Sequence, residues 1–183
     1  LALIMTQTGG CCRASNYVAF IRRALDKAGL GHIPVISLNL NGMEKNSGFH
    51  VSPAMGLAAL RQLVIGDLLM RCLYRTRPYE AVPGSANALH AKWRDIAAAY
   101  AMGEKTGYTY GGICRGIVAD FDALALNESL CKPRVGFVGE ILVKYMPLAN
   151  NYLVDLLEQE GAEAVVPDLT DFLVECIYQQ SYK

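Results

Sequence analysis

Leu1-Ala2-Leu3-Ile4-Met5-Thr6 is an apolar run that breaks at Gln7-Thr8-Gly9-Gly10-Cys11-Cys12-Arg13-Ala14 and gives way, from Ser15, to a different spacing. A short apolar run closed by a glycine turn reads as a buried strand over residues 1–6. Over 15–28, Val18, Ile21, Leu25 and Ala28 recur at helical intervals, while Arg22, Arg23, Asp26 and Lys27 fill the other face. Ser15 is the expected N-cap and Gly29 the expected residue just past the helix end. Residues 33–38, with Pro34 near the start, read as a second strand. Strand, helix and strand with short connections make the βαβ unit of a parallel sheet.

A second unit of the same kind is expected at the other end of the chain. It comprises a strand over 134–138, a loop over 139–147, a helix over 150–161, a strand over 162–166 and a helix over 169–179. Between the two lies a helical stretch. One helix runs from Pro53 to about Tyr74 and stops before Arg77-Pro78, because a residue preceding proline is pushed out of the α region. Another spans about 85–102, a glycine- and tyrosine-rich loop covers 107–112, and a third helix covers about 113–126. The expected class is α/β, with two βαβ-type segments of parallel strands joined by a helical insert. The segments are 1–41, 42–132 and 133–183, forming one domain or two lobes.

The chain has 183 residues, enough for one ordinary domain. Lys plus Arg and Asp plus Glu both number 17, and this balance speaks against a nucleic-acid binder that works by counterion release. With 52% hydrophobic and 19% charged residues, the chain is not a disordered one. The opening apolar run is too short for a signal peptide and lacks a basic flank, so the chain reads as part of a longer protein. The greasiest later stretch, Met55 to Leu73, is interrupted by Arg61, Gln62, Asp67 and Arg71, which argues against a membrane span. A cytoplasmic protein follows as the expectation, with the six cysteines as thiols or metal ligands instead of disulfides.

The turn from Gly9 to Tyr17 carries the sharpest chemistry. It lies at the carboxyl end of a parallel strand, the edge where open α/β sheets place ligands. Gly9 and Gly10 let the backbone turn sharply or approach a bound group. A thiol just ahead of a helix faces unbonded N–H groups and the positive end of the helix, which favour a thiolate. That suits metal ligation or nucleophilic chemistry; the alternative is a tight turn with two half-buried thiols. No Gly-Lys-Ser/Thr and no full G-x-G-x-x-G follows either strand, so nucleotide binding has little support.

The cysteines, at 11, 12, 72, 114, 131 and 176, contain no C-x-x-C. An iron–sulfur cluster can nevertheless gather ligands from separate parts of a chain. Cys72 reads as core, Cys114 as a weaker version of Cys12, and Cys131 as incidental. His32, His50 and His90 have no recognisable catalytic partner, and no catalytic acid or base is nominated. Glu140 and Lys144 occupy the second strand-end loop, where they would contact a ligand or form a surface pair. Asn150 or Asn151 reads as an ordinary N-cap.

The motifs Met5-Thr6-Gln7-Thr8-Gly9-Gly10, Cys12-Arg13-Ala14-Ser15-Asn16-Tyr17, Pro34-Val35-Ile36-Ser37, Gly66-Asp67-Leu68-Leu69-Met70, Arg77-Pro78-Tyr79-Glu80 and Arg134-Val135-Gly136-Phe137-Val138-Gly139-Glu140-Ile141 recur together in one known family. Over nearly its whole length the chain resembles acyl-CoA dehydratase activase-related proteins. The likeness is to their segment similar to the D-component of 2-hydroxyglutaryl-CoA dehydratase. The resemblance implies a cytoplasmic, oxygen-sensitive [4Fe–4S] protein of anaerobes. Such relatives remove water from a 2-hydroxyacyl-CoA through one-electron reduction to a ketyl radical, the electron being injected by an ATP-hydrolysing activase. It implies Cys12 and Cys176 as metal ligands; Gly9, Gly10 and Glu140, from their places at the two strand ends, are the expected cofactor-binding residues. The implied partners are an ATPase activase module, in the same or a separate chain, and acyl-CoA; no nucleic acid or membrane is expected, and an oligomer is allowed. Two thiolates are fewer than the four a cluster usually takes, so further ligands would lie beyond either end. The isolated piece is then expected to be inactive. The alternative is a non-catalytic interaction module that docks the activase or a partner subunit.

Overall fold

The computed structural model describes residues 1–7, 12–38 and 50–180, apart from the side chains at 176, 177, 179 and 180. Gly9, Gly10 and Cys11 therefore lie outside the described residues, as does the side chain of Cys176. The chain divides into two compact units, 1–52 and 53–183. It is an α/β protein with two small parallel sheets and a helical stretch between them.

In the first unit, β1 (Leu3–Thr6) and β2 (Val35–Leu38) pair in parallel with Leu3 opposite Val35 and Thr6 opposite Leu38. A 3₁₀ turn, Arg13–Asn16, leads into α1, Tyr17–Lys27. Of the expected apolar stripe, Val18 is fully buried, Ile21 and Leu25 are half-buried, and Ala28 is exposed. Gly29 ends the helix at φ +72°, and the Leu30 N–H donates back to the Leu25 carbonyl at 2.8 Å. This is the left-handed stop that glycine adopts without a Cβ penalty. Ser15 does not cap α1. It sits inside the 3₁₀ turn, where its hydroxyl donates to the Cys12 carbonyl at 2.6 Å. The expectation of a buried first strand also fails: Leu3, Ile4 and Thr6 are exposed and Met5 is half-buried. A strand with one hydrogen-bonded neighbour in a two-stranded sheet leaves much of its surface open.

The second unit is built on three helices: α2 (Pro53–Thr76), α3 (Ser85–Ala101) and α4 (Tyr110–Asp122). α2 buries Ile65, Leu69, Leu73 and Thr76, the spacing of one helix face. These residues join Ala86, Trp93, Ala97, Ile113, Ile117 and Phe121 in one core. α4 begins within the expected glycine loop, because the Thr109 hydroxyl caps it by accepting from the Gly112 N–H at 3.1 Å. Glycines in a first turn cost little when a cap takes up the free N–H groups. By length and composition alone, Pro53–Tyr79 is long and apolar enough to cross a membrane. Within the unit, its Ile65, Leu69 and Leu73 belong to the three-helix core.

After the helices, β3 (Arg134–Gly136) pairs in parallel with β4 (Glu163–Val165), with Arg134 opposite Glu163. Between them lie α5 (Ile141–Tyr145) and α6 (Leu153–Gln159), and α7 (Leu169–Gln180) follows β4. The short α5 occupies what the sequence suggests is a loop. Asn151 and Tyr152 both take left-handed φ values, 58° and 54°, and delay the start of α6 to Leu153.

Candidate functional site

The carboxyl end of β1 is held by a side chain that the sequence did not single out. Gln7 accepts from the Ser37 hydroxyl on β2 at 2.7 Å, and its amide donates to the Ser15 carbonyl at 2.7 Å. Ser37 is 1% exposed, so the Gln7 amide satisfies a buried hydroxyl and ties both strands to the 3₁₀ turn. The Ser15 N–H and hydroxyl both donate to the Cys12 carbonyl, at 3.1 and 2.6 Å. Cys12 itself is extended (φ −71°, ψ 140°), and its free thiol is exposed immediately ahead of the turn. An accessible thiol on a backbone fixed at three points is suited to ligation or to attack on a small electrophile. The signal for Gln7 was its place at the strand end; its partner, 30 residues away, was not readable.

The second strand-end loop has a different character. The Glu140 carboxylate accepts from the Val143 N–H at 3.1 Å and so caps α5. Lys144 places its ammonium 4.9 Å from the centre of the Tyr145 ring. The Asn150 side chain donates to the carbonyls of Val143 and Lys144 and accepts from the Leu153 N–H at 3.2 Å. The N-cap position of α6 is Tyr152 and not either asparagine, because two left-handed residues precede the helix; Asn150 reaches its first N–H from two residues farther back and ties α5 to α6.

α7, which carries Cys176, is fastened by Asp67 of α2. Its carboxylate accepts from the N–H groups of Leu169 (3.1 Å) and Thr170 (2.7 Å) and from the Thr170 hydroxyl. Arg71 pairs with the neighbouring Asp168. Burial pushes the Asp168 carboxyl above the ordinary aspartate range; Arg71 opposes this, and Asp67 and Asp171 reinforce it. The Tyr145 phenol donates to the Pro167 carbonyl at 2.6 Å. Burial, followed by the charges of Asp67, Asp168 and Asp171, pushes that phenol up to about 12.

The other described thiols differ from Cys12. Cys72 is half-buried in α2, and burial raises its pKa against the pull of Arg71 and Arg75. That keeps it a neutral thiol at neutral pH. Cys114 is half-buried near the start of α4, and Cys131 is exposed before β3. Among the described residues, no three His, Cys, Asp or Glu side chains converge as a metal site. Cys12 is thus an exposed thiol, and the described residues do not furnish a complete ligand set for a cluster. The chain matches no family model, no curated protein and no solved structure.

Proposed function

We propose that this chain is part of a cytoplasmic iron–sulfur protein of an anaerobe, similar to 2-hydroxyacyl-CoA dehydratase components and served by an ATP-driven activase. The observation that carries the reading is the exposed Cys12 thiol. It stands at the carboxyl end of β1, on a turn fixed by Gln7, Ser15 and Ser37, inside the motifs on which the family resemblance rests. In this reading Cys12 and Cys176 are two ligands of a [4Fe–4S] cluster, and the remaining ligands come from outside the described residues. A bound cluster would supply one-electron chemistry. The work of this chain is to hold the Cys12 sulfur still, with Gly9, Gly10 and Glu140 near the bound group and acyl-CoA as the substrate class.

The test is purification of the intact protein without oxygen, followed by iron and sulfide analysis and EPR after reduction. About four irons per chain and a reduced-cluster signal are expected, and Cys12→Ser should abolish both. No iron, or iron unchanged in the Cys12→Ser protein, overturns the assignment.

A second reading, a non-catalytic module that docks the activase or a partner subunit, draws on the first two turns of α2. There Met55, Leu57 and Leu60 are each about half exposed. Exposed apolar groups clustered on one helix suit a protein contact. Under this reading, a pull-down with the ATPase module should retain the wild-type protein and lose the Leu57→Glu/Leu60→Glu protein; equal retention of both removes it.

A further inference from the structure

A concavity of about 540 Å³ opens in the second unit. It lies at the amino ends of β3 and β4, where Arg134 and Glu163 face each other across the ladder. Its size falls in the range of small-molecule sites. The apolar part of the lining comes from Phe121, Val118 and Leu126.

The polar part is built around Glu163, a carboxylate only 7% exposed. It accepts from the Tyr79 hydroxyl at 2.9 Å and from Arg134 Nε at 2.9 Å. That contact uses one edge of the guanidinium. Among the described residues, the Arg134 Nη groups have no hydrogen-bond partner. Arg75 lines the same concavity, and among the described residues its guanidinium forms no hydrogen bond or ion pair. Two arginines from elements far apart in sequence thus line one apolar hollow, with donors left over. Cys72 adds no negative charge there, because burial keeps its thiol neutral. Thr76 spends its hydroxyl on the Cys72 carbonyl at 2.8 Å.

We infer that this hollow binds a small organic monocarboxylate with an apolar body. The carboxylate is received by Arg75 and the free Nη groups of Arg134, and the apolar part lies on Phe121, Val118 and Leu126. Guanidinium donors match a carboxylate in geometry and charge. Glu163 holds Arg134 in place before the ligand arrives, which lowers the ordering cost of binding. Asp122, also on the lining, repels any anion, and a dianion such as phosphate about twice as strongly as a monocarboxylate. The inference uses no residue of the Cys12 turn, so it stands or falls separately from the cluster assignment.

The test is a titration of the isotope-labelled full chain with hexanoate, hexanamide and inorganic phosphate, following the amide signals of Thr76, Tyr79 and Leu126. Hexanoate should give saturable shifts at these positions. Hexanamide should bind about tenfold more weakly, the usual effect of losing a charge-assisted hydrogen bond. Phosphate, which has no apolar body to lie on Phe121 and Val118 and is repelled by Asp122, should bind more weakly still or not at all. Arg75→Gln, at an exposed and unpaired position, should keep the fold and weaken hexanoate by a similar factor. Val118→Asp, at a position 49% exposed, should do the same by placing a negative charge beside the ligand. Arg94→Gln, on the outer face of α3, should change nothing. Absence of saturable hexanoate binding, equal binding of hexanamide or phosphate, or full affinity in Arg75→Gln overturns the inference.

Discussion

Gly116 lies in the middle of α4, where alanine would ordinarily be the better residue by about 1 kcal/mol. Here the opposite result is expected. A Cβ built on Gly116 falls 2.6 Å from Trp93 Cζ2 and nearer still to Cη2, whereas ordinary contact begins at 3.4 Å. The indole cannot swing aside freely. It is 2% exposed, its Nε1–H donates to Asp120 at 2.9 Å, and it meets the Tyr108 ring edge-on at 5.4 Å. The gap between α3 and α4 must therefore open by about 0.8 Å or more, in the class of overpacking changes that cost about 1–3 kcal/mol. Taking the upper part of that range and subtracting the propensity gain leaves Gly116→Ala destabilising by about 2 kcal/mol. Gly66, in α2, is the control: a Cβ there meets nothing within 4 Å, so Gly66→Ala should stabilise by up to about 1 kcal/mol. Urea unfolding followed by circular dichroism separates the two. Trp93 is the only tryptophan, so its emission reports on the contact directly. In a Trp93→Phe background, which removes the clashing part of the ring, the cost of Gly116→Ala should largely vanish. A Gly116→Ala protein as stable as wild type would refute the close packing of α4 on Trp93, and with it this account of the core.

Other consequences follow from the caps and the thiol. Glu80 accepts from the N–H groups of Gly84 (2.6 Å) and Ala86 (2.8 Å) and from the Ser85 hydroxyl, closing the start of α3. Burial raises its pKa, but these hydrogen bonds and Arg77 outweigh burial and hold the carboxyl below the usual glutamate range. A depressed carboxyl contributes stability above its unfolded pKa and loses it as pH falls through the folded one. Glu80→Gln should thus cost about 1–2 kcal/mol at neutral pH, with the difference from wild type closing in acid; a gap that persists below the glutamate range counts against it. Asp67→Ala should speed amide exchange at Leu169 and Thr170 and fray the start of α7, at a cost of about 1 kcal/mol; unchanged exchange would show that Asp67 does not anchor the helix. Under non-denaturing conditions without metal, a maleimide should label Cys12 well before Cys72, since one is exposed and the other half-buried as a neutral thiol. Equal rates would contradict the placement of both.

Parallel pairing was legible because each pair of strands is separated by a helical stretch too long for a hairpin and suited to a crossover. α1 was legible because one stripe of apolar residues faces a sheet, and Gly29 marks its end. Where the reading slipped, a local hydrogen bond had displaced an element boundary. The Thr109 cap pulled α4 back into the glycine run, and the Glu140 cap made a five-residue helix too short to show any period. The exposure of β1 was misread because apolar composition does not say how many neighbours a strand will have.

By itself the sequence determined the α/β class, the helical stretch between the strand pairs and the position of Cys12 ahead of a helix. These follow from periodicity and turn chemistry, which act over a few residues. The tertiary structure alone decided that Gln7 clamps Ser37 and that Asp67 anchors a helix beginning 102 residues later. It alone also decided that Arg75 and Arg134 share one hollow with Phe121. Such contacts join residues that no local pattern relates. They exist only because burying apolar faces within each unit brings distant polar side chains close enough to satisfy one another.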